Sequence, residues 1–533
     1  EIYTRWYSSA ASDVYKRQIL AHDNSLEETI ISIQRQRLTG WKDRIISEKI
    51  AIDLYGNETR AVETLDRFER TRIQTTHTPD SNISLQAVYV DGRLAATTSK
   101  TGITMRYGYD ALGRRIAVED PRKGISTIHY DRSGRLEYVQ DPAGNHARFE
   151  YDPESGRKIA EINALNKATR YQYNQRGQLI RSWGDVPYPV EYDYDAFGQM
   201  MVMRTFRSGH GWDGETWPAD TGQGDQTLWH YQPETGLLLA KEDAKGHRTS
   251  YTYGPGGALK PRTWARLKNG KPLRTTYQYE KKTRELEKID YSDDTPGIAF
   301  AYDRLGRMVR VSDAAGVHSF SYDQKLRMVS EGLIGQQSYQ ITRKYDDLGR
   351  AIGFAVDDGY EVSYGYDDTG RFKKVGWQIG NQPGDVEYSY MAQSDRLSGM
   401  ASTSGLTVRY DYEPHRDVKT AVVNSFKDRL ISKYEYQYDR LGRRINAKNS
   451  GEAFEKDGFW LYGYKDRNEI ATASRFVGDD LKDQTQPIPD LERVYRFDPI
   501  GNRIDAVEGK NEIQYQTNRL NQYVRVKRSS QKE

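Results

Sequence analysis

Four pairs of adjacent aspartates are the residues of this sequence whose type could support acid–base chemistry. The pairs are Asp293/Asp294, Asp346/Asp347, Asp357/Asp358 and Asp367/Asp368. A glycosidase needs two carboxylates on facing walls of a cleft, about 5–10 Å apart. Adjacent residues of an extended chain point to opposite sides, and three of the pairs lie in or beside predicted turns. We therefore predict that these aspartates form turns and do not catalyse hydrolysis.

Histidine and cysteine usage argues against the other common catalytic and metal sites. Nine histidines are scattered along the chain, without the HExxH or HxxxH spacing of a metal site or the pattern of a Ser-His-Asp triad. There is no cysteine, which excludes disulfides, thiolate catalysis and Cys-ligated metals. The sequence predicts a protein that is not an enzyme and has no catalytic, cofactor-binding or metal site. The histidines considered were His129, His146, His210, His230, His247, His318 and His415.

Composition narrows the class of protein further. The 40 tyrosines outnumber the 13 phenylalanines and 9 tryptophans, although only 36% of residues are apolar. Disordered chains are poor in aromatic residues, whereas tyrosine suits a thin sheet that both packs and meets water. The 79 basic and 76 acidic residues nearly balance, so no attraction to nucleic acid or membranes is predicted. No apolar stretch approaches the length of a transmembrane helix.

One motif recurs from about Met105 onward: an aromatic residue, any residue, Tyr-Asp, two residues, Gly-Arg and an apolar residue. Successive copies place the tyrosine at Tyr109, Tyr130, Tyr151, Tyr173 and Tyr194, in steps of 21, 21, 22 and 21 residues. A fixed period is the signature of a repeat architecture. The clearest copies are Tyr107–Ile116, His129–Leu136, Ala301–Val309, Lys344–Ile352, Tyr364–Phe372 and Tyr436–Ile445.

The residues of one copy predict a hairpin. Tyr107 and Tyr109 are two apart, so they face the same side of a strand. Asp110 and Gly113 then occupy the first and fourth positions of a type I turn, and Gly113 supplies the positive φ that lets the chain return. We predict an all-β fold of tandem hairpins that pair edge to edge into a curved or spiralling antiparallel sheet.

The arginine that follows the glycine of the motif has two possible roles. It could bind anions or sugars, or it could stack on a neighbouring tyrosine and pair with a motif aspartate in a ladder. The ladder is the favoured interpretation. The arginines are Arg114, Arg135, Arg307, Arg350, Arg371 and Arg443.

Three segments are predicted along the chain. Residues 1–18 resemble a translated sequencing adapter and are excluded from fold reasoning, so a natural N-terminus with its export signal would be missing. Residues 19–104 are predicted to form degenerate β-repeats, and residues 105–533 the repeat array, with insertions near 207–225 and 471–490. Asn57 and Asn82 begin glycosylation sequons, which matter only in a eukaryotic secretory host.

The motif resembles that of the YD-repeat family, which covers bacterial RHS proteins, C components of insecticidal toxin complexes, and teneurins. The resemblance implies that the array is part of a hollow β-shell. In bacteria such a shell encloses a C-terminal toxin polypeptide, and in teneurins a related shell belongs to a cell-surface adhesion receptor. It therefore implies a secreted or surface-associated bacterial scaffold whose partner is an enclosed polypeptide.

The sequence departs from the family pattern at the expected cleavage element. RHS arrays typically end in a DPxGxxDPxG-like element whose aspartates release the toxin. Here DPAG (Asp141 to Gly144) and DPIG (Asp498 to Gly501) stand far apart at repeat turns, so we interpret both as turns. No non-repeat domain follows Val524, and we expect the toxin domain to be absent from this chain.

An alternative function is a cell-surface adhesin or carbohydrate-binding repeat protein. Tryptophans clustered on one exposed face would favour it, because aromatic rings stack on sugars, and their dispersal into the core would exclude it. The tryptophans considered were Trp183, Trp212, Trp217, Trp229, Trp264 and Trp377.

The repeat pattern also predicts which of two glycines is more sensitive to substitution. Gly306 occupies the fixed glycine position of the motif, whereas Gly316 lies in what reads as a looser connection at 314–317. We therefore expect Gly306→Val to lower the melting temperature more than Gly316→Val does.

Overall fold

The computed structural model describes residues 12–22, 25–41, 44–53 and 56–530, with side chains for 44–53 and 56–529. The described residues form 43 β-strands and two single-turn 3-10 helices, Pro255–Gly257 and Pro489–Leu491. The predicted all-β fold is therefore confirmed. Most strands are 5 to 9 residues long, as expected when two strands and two turns share about 21 residues.

The strands follow one another in chain order. The first are β1 (Ser12–His22), β2 (Ser25–Trp41), β3 (Arg44–Ile52), β4 (Glu58–Asp66), β5 (Thr71–His77), β6 (Leu85–Val90), β7 (Arg93–Thr98), β8 (Thr104–Tyr109), β9 (Arg115–Asp120), β10 (Gly124–Tyr130), β11 (Leu136–Gln140), β12 (His146–Tyr151), β13 (Lys158–Ile162) and β14 (Ala168–Tyr173). Next come β15 (Leu179–Gly184), β16 (Val190–Tyr194), β17 (Met200–Thr205), β18 (Asp225–Tyr231), β19 (Leu238–Glu242), β20 (Arg248–Tyr253), β21 (Leu259–Lys268), β22 (Lys271–Tyr279), β23 (Leu286–Tyr291), β24 (Ile298–Tyr302), β25 (Met308–Asp313), β26 (Gly316–Tyr322), β27 (Met328–Gly335) and β28 (Tyr339–Tyr345). The last are β29 (Ala351–Val356), β30 (Tyr360–Tyr366), β31 (Phe372–Ile379), β32 (Gln382–Tyr390), β33 (Leu397–Ser402), β34 (Leu406–Tyr412), β35 (Lys419–Phe426), β36 (Arg429–Tyr438), β37 (Arg444–Ser450), β38 (Gly458–Tyr464), β39 (Ile470–Val477), β40 (Arg493–Phe497), β41 (Arg503–Glu508), β42 (Asn511–Thr517) and β43 (Tyr523–Ser530).

Pairing is local and antiparallel throughout the described pairings. Strand β8 pairs with β9, and β25 with β26, and each pairing joins strands that are consecutive in the chain. The register shifts by one residue at the motif tyrosine, as between Gly108 and Tyr109. This bulge follows from the turn, because a type I turn closed by a residue of positive φ produces a G1 bulge.

The predicted turn is present in the first clear copy. The Gly113 N–H donates to the Asp110 carbonyl at 3.0 Å, and the Asp110 N–H donates to the Arg114 carbonyl at 3.0 Å. Gly113 has a φ of 82°, in the left-handed region that a side chain disfavours. The turn thus fixes the position from which Arg114 extends.

The chain divides into two compact units. The first comprises Glu1–Thr127, Tyr279–Lys288 and Pro296–Tyr410, and the second comprises Ile128–Gln278, Ile289–Thr295 and Asp411–Glu533. Each unit therefore brings together stretches that are far apart in sequence.

The apolar core is thin. One buried cluster contains Ala160, Ile162 and Ala168, and a second contains Trp183, Phe206 and Trp212. Most motif tyrosines are only half-buried, as the tyrosine-rich composition predicts.

The structure shows where the two predicted insertions begin and end. Residues 206–224 form an irregular loop between β17 and β18, so Asp225 already belongs to a strand. Strand β39 covers residues up to Val477, and the second irregular segment runs over 478–492 with one 3-10 turn. In the segment predicted as an adapter remnant, residues 1–11 lie outside the described residues, and β1 begins at Ser12.

The predicted ranking of two glycines is wrong. Gly316 is the first residue of β26, and it pairs with Asp313 across a two-residue connection. A Cβ on Gly316 would collide with the backbone carbonyl oxygen of Ile334 on β27. A Cβ on Gly306 would meet only the Oε1 atom of Glu285, at 2.9 Å, on a side chain that can turn away. Close approach of two strands therefore constrains Gly316 more than the turn constrains Gly306.

We now expect Gly316→Val to lower the melting temperature more than Gly306→Val does. Both variants place valine at a positive φ, which strains the backbone. Only Gly316→Val must also separate β26 from β27. Thermal unfolding followed by circular dichroism of the two variants measures the difference. A larger loss for Gly306→Val would contradict the geometry.

Candidate functional site

The repeat motif closes into one recurring side-chain arrangement, which we call the clasp. In the copy around Asp303, the Arg307 backbone N–H donates to Oδ1 of Asp303 at 3.0 Å, and Arg307 Nε donates to Oδ2 at 2.7 Å. The guanidinium carbon of Arg307 lies 4.3 Å from the ring centroid of Tyr322, the tyrosine of the next repeat. The Tyr322 hydroxyl in turn donates to the Met308 carbonyl at 2.8 Å.

The clasp recurs along the array with the same atoms. The hydroxyl of a motif tyrosine donates to the carbonyl of the residue after the preceding clasp arginine. The arginine–tyrosine stacks are Arg135–Tyr151, Arg307–Tyr322, Arg327–Tyr345, Arg350–Tyr366, Arg371–Tyr390 and Arg443–Tyr464. The predicted ladder role is confirmed for five of the six arginines, and Arg114 is seen to pair with Asp110. Each clasp couples a repeat to the next.

The electrostatics of the clasp keep its aspartate ionised. Burial alone would raise the pKa of Asp303, but hydrogen bonds from the side chain and backbone of Arg307 outweigh it, and the pKa lies below its usual value. Desolvation is likewise outweighed at Asp323 by hydrogen bonds from Arg327, and at Asp367 by hydrogen bonds from the Thr369 side chain and from Arg371, so the pKa of each carboxyl is lowered. These carboxylates therefore act as permanent hydrogen-bond acceptors at neutral pH.

The adjacent aspartates serve backbone structure, as predicted. One member of each pair accepts a hydrogen bond from a backbone N–H, with distances between 2.8 and 3.2 Å. Asp346 and Asp367 are clasp aspartates, bonded to Arg350 and Arg371. The four acceptors are Asp293, Asp346, Asp357 and Asp367.

Asp141 and Asp498 each close their own turn. The side-chain amide and backbone N–H of Asn145 donate to Asp141, and those of Asn502 donate to Asp498, at 2.8 to 3.0 Å. Asparagine takes the place of the clasp arginine in both turns. The turn interpretation of DPAG and DPIG is thus confirmed.

Histidines and tryptophans are dispersed over different environments. His129 stacks on Tyr138 with 4.0 Å between ring centroids, and His247 lies 3.0 Å from Asp243. No group of three or more potential metal ligands occurs in the described part of the chain. Trp183 and Trp212 are buried with Phe206, and Trp217 packs against them. The tryptophans whose side chains are described are buried or half-buried.

A polar cavity of about 410 Å³ lies within the second unit. Lys167 stands at its edge, 3.3 Å from Asp185 and 2.9 Å from Asp466. The hydrogen bond with Asp466 raises the pKa of Lys167 despite partial desolvation. Sequence reasoning missed this cluster because its members are about 300 residues apart, and no local spacing marks it. Other lining residues are His210, Asp213, Arg467, Glu469 and Asp498.

In the described part of the chain, no helix is long and apolar enough to cross a bilayer.

Comparison with known proteins connects this geometry to a family. The family description "Teneurin YD-shell" matches residues 17–209. The predicted resemblance to the YD-repeat family is confirmed. The chain is also 26% identical to double-stranded DNA deaminase toxin A of Burkholderia cenocepacia (strain H111), over 78% of this chain and 33% of that protein.

Solved structures share the fold of this chain. A crystal structure of TcdB2-TccC3-Cdc42 matches with a TM-score of 0.60 at 15% identity, over 94% of this chain and 26% of that one. The Photorhabdus luminescens Tc holotoxin pore matches with a TM-score of 0.60 at 15% identity, over 92% of this chain and 27% of that one. The chain thus spans about a third of the curated relative and a quarter of these structures.

Removing one clasp tests its contribution to the sheet. We expect Arg307→Ala to lower the free energy of unfolding by about 2 kcal/mol, because it removes a charged hydrogen bond and a cation–π contact. Tyr322→Phe keeps the ring and loses only the hydroxyl donor, so about 1 kcal/mol is expected. Urea unfolding measures both losses. Arg310→Ala, at an exposed position on the adjacent strand β25, is the matched control and should be near neutral; equal losses for Arg307→Ala and Arg310→Ala would contradict the clasp.

Acid should weaken the turn at Asp120. Hydrogen bonds from the Arg122 side chain, opposed by desolvation, lower the pKa of Asp120 from 3.8 to about 2. The pKa of Asp120 is lower in the folded state than in the unfolded state. The ionised carboxylate therefore stabilises the fold fully above the unfolded-state pKa near 3.8, and this stabilisation is lost as the pH falls towards 2. We expect Asp120→Asn to be less stable at pH 7 and to lose less stability than the parent chain between pH 4 and pH 2. Parallel pH dependences in thermal unfolding would refute this.

Proposed function

We propose that this chain is a non-catalytic scaffold, a segment of the wall of a β-shell that encloses a toxin polypeptide. The observation that carries the proposal is the succession of antiparallel hairpins, many of them joined by clasps, together with a fold shared with toxin-complex structures. A continuous hydrogen-bonded sheet presents few openings to proteases, which suits sequestration.

The partner in this proposal is a polypeptide and not a small molecule. The toxin domain is a separate segment, and the repeats themselves carry no toxin activity. The names of the relatives, a deaminase toxin and a Tc holotoxin pore, support a toxin as the enclosed polypeptide. Secretion from a bacterium follows from that role, because a toxin acts outside the cell that makes it.

A cell-surface adhesin is the weaker alternative. It requires an exposed binding surface for sugar or receptor, and the described tryptophans are buried or half-buried. The environment of these rings favours packing, so we do not carry the adhesin forward except as an outcome of the test below.

Protease protection tests the proposal. The complete reading frame at the genomic locus, obtained by long-read sequencing, would be expressed and digested over time, with cleavage sites mapped by mass spectrometry. We expect a non-repeat segment to resist cleavage in the intact protein and to be cleaved quickly when produced alone. A variant with Arg307→Ala, Arg350→Ala and Arg371→Ala should shorten the protection, and the Arg310→Ala control should not.

Two results would count against enclosure. One is a non-repeat segment that is cleaved equally fast inside the intact protein and alone. The other is a reading frame that encodes only repeats with an anchor, combined with binding of the protein to cell surfaces, which would favour the adhesin.

A further inference from the structure

Strands β36 to β39, all in the second unit, carry a row of aromatic and cationic side chains on one face of the sheet. Tyr436 of β36 lies opposite Ala447 of β37. Ala447 lies opposite Trp460 of β38, which lies opposite Arg475 of β39. Directly opposed residues of antiparallel strands point to the same side of the sheet. Tyr462, two residues beyond Trp460, shares that side.

The aromatic rings of this row hold two guanidinium groups. The guanidinium carbon of Arg444 lies 3.7 Å from the ring centroid of Tyr436, and that of Arg475 lies 6.0 Å from the ring centroid of Trp460. Burial raises the pKa of Tyr462, and the positive charges of Arg444 and Arg475 oppose that rise. Both cations therefore lie close to Tyr462. We call these side chains the cationic patch: Tyr436, Arg444, Trp460, Tyr462 and Arg475.

No carboxylate of the sheet balances the charges of the cationic patch. In the part of the chain that the structure describes, no aspartate or glutamate lies within 4.0 Å of the guanidinium of Arg444 or Arg475. On the same face of β40 and β41, Glu508 lies 3.5 Å from the Tyr495 hydroxyl. The acidic residues of the flanking connections do not pair with either arginine: Glu452, Glu455, Asp457, Asp479, Asp480, Asp483, Asp490 and Glu492.

Arg475 is the more deeply placed of the two arginines. Its Nη1 atom is buried and has no hydrogen-bond acceptor among the described residues. Burial lowers the pKa of Arg475, and the charge of Tyr462 opposes that change. Because a buried guanidinium without an acceptor is unfavourable, a hydrogen bond to an anion would stabilise it. Arg444 is exposed, so the patch is open to such a partner.

The neighbouring clasp shows which group the patch lacks. Arg443 donates through Nε to Asp439 at 2.6 Å and stacks on Tyr464. Arg444, the next residue, has a ring to stack on but no carboxylate within ion-pairing distance in the described chain. A clasp therefore combines arginine, tyrosine and a carboxylate, whereas the cationic patch supplies only the first two.

We infer that the cationic patch binds the carboxylates of an acidic polypeptide segment. The inference rests on the proposed function, which supplies a polypeptide partner, and it adds the chemistry by which the sheet would recognise that partner. A guanidinium binds a carboxylate through two parallel hydrogen bonds, so Arg444 and Arg475 select acidic side chains. The rings of Trp460 and Tyr462 offer apolar surface to the methylene groups of the same segment.

Binding of fluorescein-labelled poly-L-glutamate to the 533-residue chain tests the inference by fluorescence anisotropy. We expect the dissociation constant to rise about tenfold or more when Arg444→Gln and Arg475→Gln are combined, because two charged hydrogen-bond donors are lost. Arg444→Lys combined with Arg475→Lys keeps both charges but not the two-pronged geometry, so its affinity should be intermediate. The matched control, Arg132→Gln with Arg440→Gln, removes two exposed turn arginines of the same unit and should bind like the parent chain.

Two outcomes of the binding experiment would overturn the inference. One is an equal loss in the Arg444/Arg475 glutamine variant and its control, which would show nonspecific attraction. The other is displacement of the labelled polymer by inorganic phosphate as effectively as by unlabelled poly-L-glutamate, which would assign the patch to a free anion. Thermal unfolding checks that each variant folds. If the double glutamine variant does not, Arg444→Gln alone, at an exposed position, must still weaken binding.

Cross-linking in the intact protein separates this inference from the proposed function. A benzophenone amino acid in place of Trp460 should cross-link to a non-repeat segment, and the same group in place of Thr472, on the opposite face of the sheet, should not. A segment that is protected from protease but is not cross-linked from Trp460 would overturn the inference and leave enclosure standing. A segment that is cleaved as fast as when it is produced alone would overturn enclosure, and poly-L-glutamate binding would still decide whether the patch recognises carboxylates.

Discussion

The hydrogen bonds between a motif aspartate and the arginine four residues later, found in many of the repeats, are the constraint on which the structure depends. In the copy at Asp303, one carboxylate oxygen holds the turn backbone and the other holds the guanidinium of Arg307. The guanidinium is thereby aimed across to Tyr322 of the next repeat, whose hydroxyl bonds back to Met308. A turn that is local in sequence thus becomes a link between repeats.

This arrangement explains how a chain with little apolar content forms an extended sheet. The buried clusters are small, and two alanines, Ala160 and Ala168, belong to one of them. Stability in a repeat array is the sum of each unit and its contacts with its neighbours. Tyrosine and arginine supply that neighbour contact with half-buried rings and charged hydrogen bonds, so a thick hydrophobic core is not required.

The candidate carboxylates are already engaged in hydrogen bonds within clasps and turns. Asp346 and Asp367 are occupied in clasps, and Asp141 and Asp498 hold asparagines of their own turns. Carboxylates that accept two or three hydrogen bonds are suited to holding a backbone. Their roles are structural, which agrees with a wall that encloses a polypeptide.

Local patterns in the sequence determined the hairpin, the type I turn at Asp110 and the arginine–tyrosine ladder, because all of these involve residues within one or two repeat lengths. Gly316 shows the limit of such reasoning, since its constraint is the carbonyl of Ile334 on the next strand and not its place in a turn. Only the tertiary structure decided where Lys167 meets Asp466 and which residues line the cavity beside them. Those features depend on contacts between residues about 300 positions apart, which no local spacing in the sequence encodes.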